Sequence, residues 1–177
     1  MANACVATSA VSAVATAIFG KWDGHLDIKP TSWAQRWPSL QSGELDLVIK
    51  SSGWTFSRDT EIRAQFAQPY LMAAIHYMVR KELNVKSAKD LDGAQVCVQP
   101  GTSNEQNLVD WFSTHKMKYR PVVIENLVEL ENAFYAGRCD VYLSDASTLA
   151  ASRSARAGNA DDYVILPERV NKSPLSP

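Results

Sequence analysis

Short runs of apolar and β-branched residues alternate along the chain with longer segments whose apolar positions recur at helical spacing. The runs Leu26 to Lys29, Leu47 to Ile49, Ala74 to Val79, Gln95 to Val98, Pro121 to Ile124, Val141 to Leu143 and Tyr163 to Leu166 predict strands. Trp33 to Gln41, Ser103 to His115, Leu127 to Ala136 and Ala146 to Arg156 predict helices, with a short helical turn over Ser87 to Leu91 closed by Gly93. Pro38 weighs against the first helix, because it has no N–H to give. From Gln95 onward strand and helix alternate strictly, which predicts an α/β fold with parallel strands and right-handed crossovers. No low-complexity linker divides the chain, and a lobe boundary is expected between Val79 and Val85, where a strand runs out into charges.

The pattern contains an internal echo. Leu40-Gln41-Ser42-Gly43-Glu44-Leu45-Asp46-Leu47-Val48-Ile49-Lys50-Ser51 matches Phe134-Tyr135-Ala136-Gly137-Arg138-Cys139-Asp140-Val141-Tyr142-Leu143-Ser144-Asp145. In both, a helix ends at a Gly, an Asp follows, and three apolar residues lead to polar ones. Glycine suits a helix C-terminus because it tolerates a left-handed backbone. The polar residues emerge at the carboxyl end of a buried strand, where open α/β sheets hold their ligands. Two such units suggest two lobes facing one ligand.

Composition narrows the function. Among 177 residues, 18 Lys and Arg stand against 19 Asp and Glu. A formal net charge of -1 gives no field to draw in nucleic acid or an anionic membrane. The most apolar stretch, Ala2 to Phe19, is rich in Ala, Ser and Thr and lacks the basic residues that open a secretory signal. It reads as folded chain, with a degenerate signal as the other reading. The three cysteines, Cys5, Cys97 and Cys139, form no Cys-x-x-Cys or Cys/His cluster, so no zinc or other metal site is expected. They read either as buried small hydrophobes or as a Cys97–Cys139 disulfide.

Three segments could carry binding chemistry. Gln99 to Gln106 joins a strand to a helix, and Thr102 with Glu105 fits a capping box. The same helix start could hold a carboxylate, with Gly101 allowing close approach. Phosphate-loop spacing is missing, so no nucleotide is indicated. Lys50 to Arg58 follows the other echoed strand. Arg58 offers a planar fork that fits a carboxylate, or else simply starts a surface helix. Asp145 after Ser144 could hold an ammonium, cap the following helix, or both. His25, His76 and His115 are scattered, and no nucleophile elbow or metalloprotease motif is present, so an enzyme and a cofactor are not expected.

These residues resemble a family. Leu40 to Leu47, Trp54 to Asp59, Tyr77 to Lys81, Val96 to Gln99, Gly101-Thr102, Met117 to Tyr119, Gly137 to Tyr142 and Val164 to Glu168 are together similar to periplasmic amino-acid-binding proteins of polar amino-acid ABC importers. The branch they most resemble is that of the general L-amino-acid-binding proteins, over roughly Val11 to Pro177. The resemblance implies a periplasmic-binding-protein type II fold, with two lobes closing on a free L-amino acid for an importer's membrane subunits in the periplasm. It assigns the α-carboxylate to Arg58, assisted by Thr102 and Ser103, and the ammonium to Asp145. Lys50, Ser51, Gln99 and Ser144 line the cleft, and Cys97 and Cys139 match a disulfide typical of the branch.

The match also has departures. Gly53 stands where the family usually has a Thr or Ser that binds the carboxylate. Losing such a bond costs roughly 1.5–3 kcal/mol, about ten- to a hundredfold in affinity. The first lobe, residues 1–79 with 168–177 returning towards it, lacks family elements at both ends, whereas the second, 80–167, reads as whole. Unpaired strand edges would follow, and pairing with a second copy could cover them. A paralogue that acts through assembly, and a dehydratase on the same scaffold, are the alternative readings.

Overall fold

The structure, a computed structural model, describes residues 27–49, 52–156 and 158–176. The elements in chain order are α1 (Arg36–Gln41), β1 (Ser52–Gly53), α2 (Phe56–Thr60), β2 (Leu71–Arg80), β3 (Gln95–Val98), α3 (Ser103–Thr114), β4 (Arg120–Val123), α4 (Leu127–Tyr135), β5 (Val141–Asp145), α5 (Ala146–Arg156), β6 (Tyr163–Ile165) and β7 (Asn171–Ser176). All seven strands form one sheet in the order β1-β7-β2-β5-β3-β4, with β6 also paired to β2.

Strands β5, β3 and β4 run parallel, as expected from strands joined by crossover helices. The ten-residue β2 is antiparallel to all its partners. One edge of β2 pairs with β7 over Leu71 to Ile75, then with β6 over Met78 to Arg80. The other edge pairs with β5 only from Ile75 to Val79. Ile75 is therefore where β2 passes from one half of the sheet to the other, a few residues before the expected lobe boundary.

The core follows from strand alternation. Ile75, Tyr77 and Val79 of β2, Val96 and Val98 of β3, and Val141 and Leu143 of β5 share one face, and meet Leu108 and Phe112 of α3. The intervening residues Met78, Cys97 and Tyr142 share the opposite face, and meet Leu130 and Phe134 of α4 and Leu149 of α5. A period of two along each strand thus buries both faces. Cys97 and Cys139 lie in this second cluster and are joined by a disulfide, their Cα atoms 5.7 Å apart.

Some expected elements differ. Residues 47–49 form no strand, and the nearby strand is the two-residue β1. Residues 27–29 are not a strand, and Leu26 lies outside the described residues. The helix expected from Trp33 begins at Arg36, and the turn over Ser87 to Leu91 is a 3-10 helix, Ala88–Asp90, capped by Ser87.

Candidate functional site

Strands β3 and β5 are parallel neighbours, so their carboxyl ends open at the same edge of the sheet. From β3 the chain passes through Gln99 and Thr102 into α3, and β5 ends on Ser144 and Asp145. Thr102 caps α3: its hydroxyl accepts from Glu105 N–H at 3.3 Å and donates to Gln99 O at 2.8 Å. Glu105 reaches back to Gly101 N–H at 2.8 Å, so a carboxylate of the chain itself already occupies one donor at this helix start. Gly101 has a φ of +69, the left-handed backbone in which glycine carries no Cβ penalty.

These residues enclose a cavity of about 120 Å³ with Trp33 and Arg36 from the α1 region, Leu127 and Thr148 from α4 and α5, and Leu175 from β7. Ser103 and Asn104 complete its α3 wall. Gln99 lines it too, but the Gln99 side chain donates to Glu125 O at 2.8 Å.

Arg58 arrives from the other half of the sheet. Thr55 caps α2 and accepts from Arg58 N–H at 3.2 Å. The Arg58 guanidinium is buried, donates to Gly53 O at 2.7 Å, and lies 5.2 Å from the Trp37 ring centroid. A Cβ at Gly53 would be 3.3 Å from Ser103 Oγ and 3.8 Å from Arg58 Nη1. Gly53 thus marks where β1, Arg58 and the start of α3 converge.

That hypothetical Cβ would also collide with Ser173 Oγ on β7. The departure at Gly53 therefore has a steric reason: a hydroxyl from β7 fills the space where a side chain at residue 53 would begin. Gly53→Ala is expected to destabilise the fold by roughly 1–3 kcal/mol through overpacking. Adding Ser173→Ala should recover most of that loss in thermal melts, because it removes the colliding oxygen.

Arg36 belongs to the site but was missed in the sequence. It is 1% exposed, sits 4.5 Å and 4.6 Å from the Trp33 and Trp37 ring centroids, and donates to Gly101 O at 3.3 Å. Burial, and secondarily the positive charge of Arg58, lowers its pKa to about 9. Burial also lowers the pKa of Arg58 and raises that of Asp145. The tryptophans that flank Arg36 at helical spacing were the available signal. Lys50 and Ser51, expected in the cleft, lie outside the described residues, as do Cys5 and His25. His76 and His115 contact the backbone carbonyls of Leu166 and Trp111.

Comparison with known proteins places this fold. A family model for bacterial extracellular solute-binding proteins, family 3, matches residues 11–132. The chain belongs to that family. The general L-amino acid-binding periplasmic protein AapJ of Rhizobium johnstonii is 46% identical over 165 residues, covering 93% of this chain and 48% of that protein. The glutamate/glutamine/aspartate/asparagine-binding protein BztA of Rhodobacter capsulatus is also 46% identical, over the same shares of the two chains. Among solved structures, a periplasmic binding protein from Brucella ovis with glutathione bound superposes with a TM-score of 0.76 at 41% identity, covering 85% of this chain and 47% of that one. An ancestral arginine-binding protein bound to arginine gives a TM-score of 0.76 at 27% identity, covering 92% and 70%. The fold is that of the type II periplasmic binding proteins, and the chain spans about half the length of the curated relatives it matches.

Proposed function

We infer that this chain forms the ligand-holding part of a solute-binding protein for a free L-amino acid, which it presents to the membrane subunits of an ABC importer in the periplasm. The observation that carries this reading is the convergence of Arg58 with Ser103 through Gly53, beside a cavity walled by Thr102, Ser144 and Asp145. Arg58 takes the α-carboxylate, and the hydroxyls of Thr102 and Ser103 assist it. Ser173 stands where a hydroxyl at residue 53 would otherwise serve. Asp145 takes the ammonium, with Ser144 and Gln99 beside it. Lys50 and Ser51, outside the described residues, are assigned to the cleft lining by the family resemblance alone. The groups present bind and orient a ligand, and the function is binding without catalysis. The second lobe, expected from 80 to 167, takes in the β2 residues from Ile75 onward that pair with β5 and β6, and β1, β7 and the start of β2 belong to the other lobe. Ile75 and the 166–170 segment are the two passages between them.

The test is the melting temperature of the chain against the standard amino acids. Ligand at a hundred times its Kd should add about 2.7 kcal/mol of stability. A flat response to every amino acid at millimolar concentration would refute the reading. The pH dependence has two opposite signs. Folded Asp145 holds its proton to higher pH than the unfolded residue does, because burial raises its pKa. Its contribution to unliganded stability therefore falls as pH rises through that window. Amino-acid affinity changes the other way, weakening as pH falls and the carboxylate that faces the ammonium is protonated.

A second reading, association with another copy of the chain, is favoured by the apolar side chains Trp54, Phe56, Tyr70, Leu71 and Met72, all more than 40% exposed around the β1 edge. Solution mass measured with and without ligand, beside the same melts, separates it from monomeric binding.

A further inference from the structure

We propose that Arg36 is a second anion-binding group of this cleft, and that the preferred ligand is an α-amino acid carrying a second carboxylate. The inference rests on the amino-acid-binding reading and names the ligand class of that same site. Arg36 lines the cavity with Thr102, Ser144 and Asp145, yet its Nε and Nη1 atoms are buried without a hydrogen-bond partner. The faces of the guanidinium are covered by the indoles of Trp33 and Trp37, which offer a cation some compensation but no counter-charge. Its hydrogen bond among the described residues goes to a neutral carbonyl, Gly101 O. The ion pairs among the described residues all belong to Arg80, far along β2 from this site.

Charge decides what fits. Among the described residues, Arg36 and Arg58 bring two positive charges to the cleft, against the single carboxylate of Asp145 in its wall. A zwitterionic amino acid with a neutral side chain satisfies Arg58 and Asp145 and leaves Arg36 uncompensated. A buried guanidinium without a partner is costly. A second carboxylate removes the surplus charge, and the planar fork of arginine suits it. The Gly101 contact also ties Arg36 to the start of α3, so a carboxylate at Arg36 would lie against both halves of the site.

The experiment is calorimetric titration of the 177-residue chain with glutamate, aspartate, glutamine, asparagine and glutathione, repeated on Arg36→Met. The wild-type chain is expected to bind an acidic ligand about ten- to a hundredfold more tightly than its amide. In Arg36→Met that preference should shrink to about threefold or less, because the acid loses more affinity than its amide does. Glutathione binding more tightly than glutamate would support the same chemistry on a longer ligand. Amides binding as well as acids, or Arg36→Met weakening both equally, would overturn the proposal and leave amino-acid binding intact. Binding of nothing in the panel would overturn both. If circular dichroism shows Arg36→Met unfolded, the acid-to-amide ratio of the wild-type chain decides alone.

Discussion

Replacing Arg58 with methionine is expected to weaken amino-acid binding by about a hundredfold or more while leaving the unliganded fold nearly as stable as before. Truncating one partner of a buried, hydrogen-bonded charge pair costs roughly 2–5 kcal/mol, because the other charge is then buried alone. Here the other charge would be the ligand's carboxylate. The prediction for the empty protein follows from what Arg58 touches without ligand. Its hydrogen-bond acceptor among the described residues is Gly53 O, and Trp37 lies beside it. Burial depresses its pKa, so the fold already bears a desolvation cost for the charge. Methionine keeps the apolar stem, removes that cost and loses one hydrogen bond to a carbonyl, so the two changes largely offset each other. Calorimetric affinity and a thermal melt on the same preparation check both halves. A variant that loses stability but keeps its affinity would show that Arg58 serves the fold.

The contrast between Arg58 and Arg36 explains what sequence reading could reach. Arg58 follows a short polar turn after one half of an internal echo, but its spacing fits a surface helix start equally well, and its assignment to a carboxylate comes from the family resemblance. The β3-α3-β4-α4-β5-α5 alternation is readable in the pattern itself: strands and helices of ordinary length each carry several turns or alternations of pattern. Ser144 and Asp145 end a parallel strand of that alternation, and Thr102 and Ser103 open the helix that follows another, so their places in the chain are legible in the pattern. Arg36 sits inside a helical pattern where arginine ordinarily faces water, and its burial is created by Trp33, Trp37 and Gly101 meeting in space. Ser173 is more remote still. Its approach to Gly53 depends on antiparallel pairing of β7 with β1, and a two-residue strand has no periodicity to reveal it. Antiparallel β2 was foreseen as a strand but not as the element that joins both halves of the sheet. The run Leu47 to Ile49 has the composition of a buried strand, yet no neighbouring strand pairs with it among the described residues, and composition cannot supply one.

Reducing the Cys97–Cys139 bond is expected to cost about 4 kcal/mol of stability and to lower the melting temperature by about 8–16 °C. The two cysteines are 42 residues apart in sequence, and a loop of that length loses about this much chain entropy in the unfolded state when it is closed. The native state should change little. Cys97 is 0% and Cys139 1% exposed, packed with Met78, Phe134, Tyr142 and Leu149, and a buried thiol there behaves as a small hydrophobe. Because the loss comes from freeing the unfolded chain, the denaturant m-value should rise on reduction while far-UV circular dichroism of the folded state stays the same. Burial also shields the bond, so reduction should be slow under native conditions and fast near the melting transition, a difference that a time course with excess reductant measures. Unchanged melting after complete reduction, verified by thiol titration, would refute the argument. The bond couples stability to the site as well. Cys97 precedes the Gln99 to Ser103 turn, Cys139 leads into the strand that ends on Ser144 and Asp145, and Cys97 pairs directly with Tyr142 across β3 and β5. Two walls of the cavity therefore hang from strands that the disulfide links, and a chain kept in a reducing compartment would lose stability at the strands that carry the Gln99 to Ser103 turn, Ser144 and Asp145.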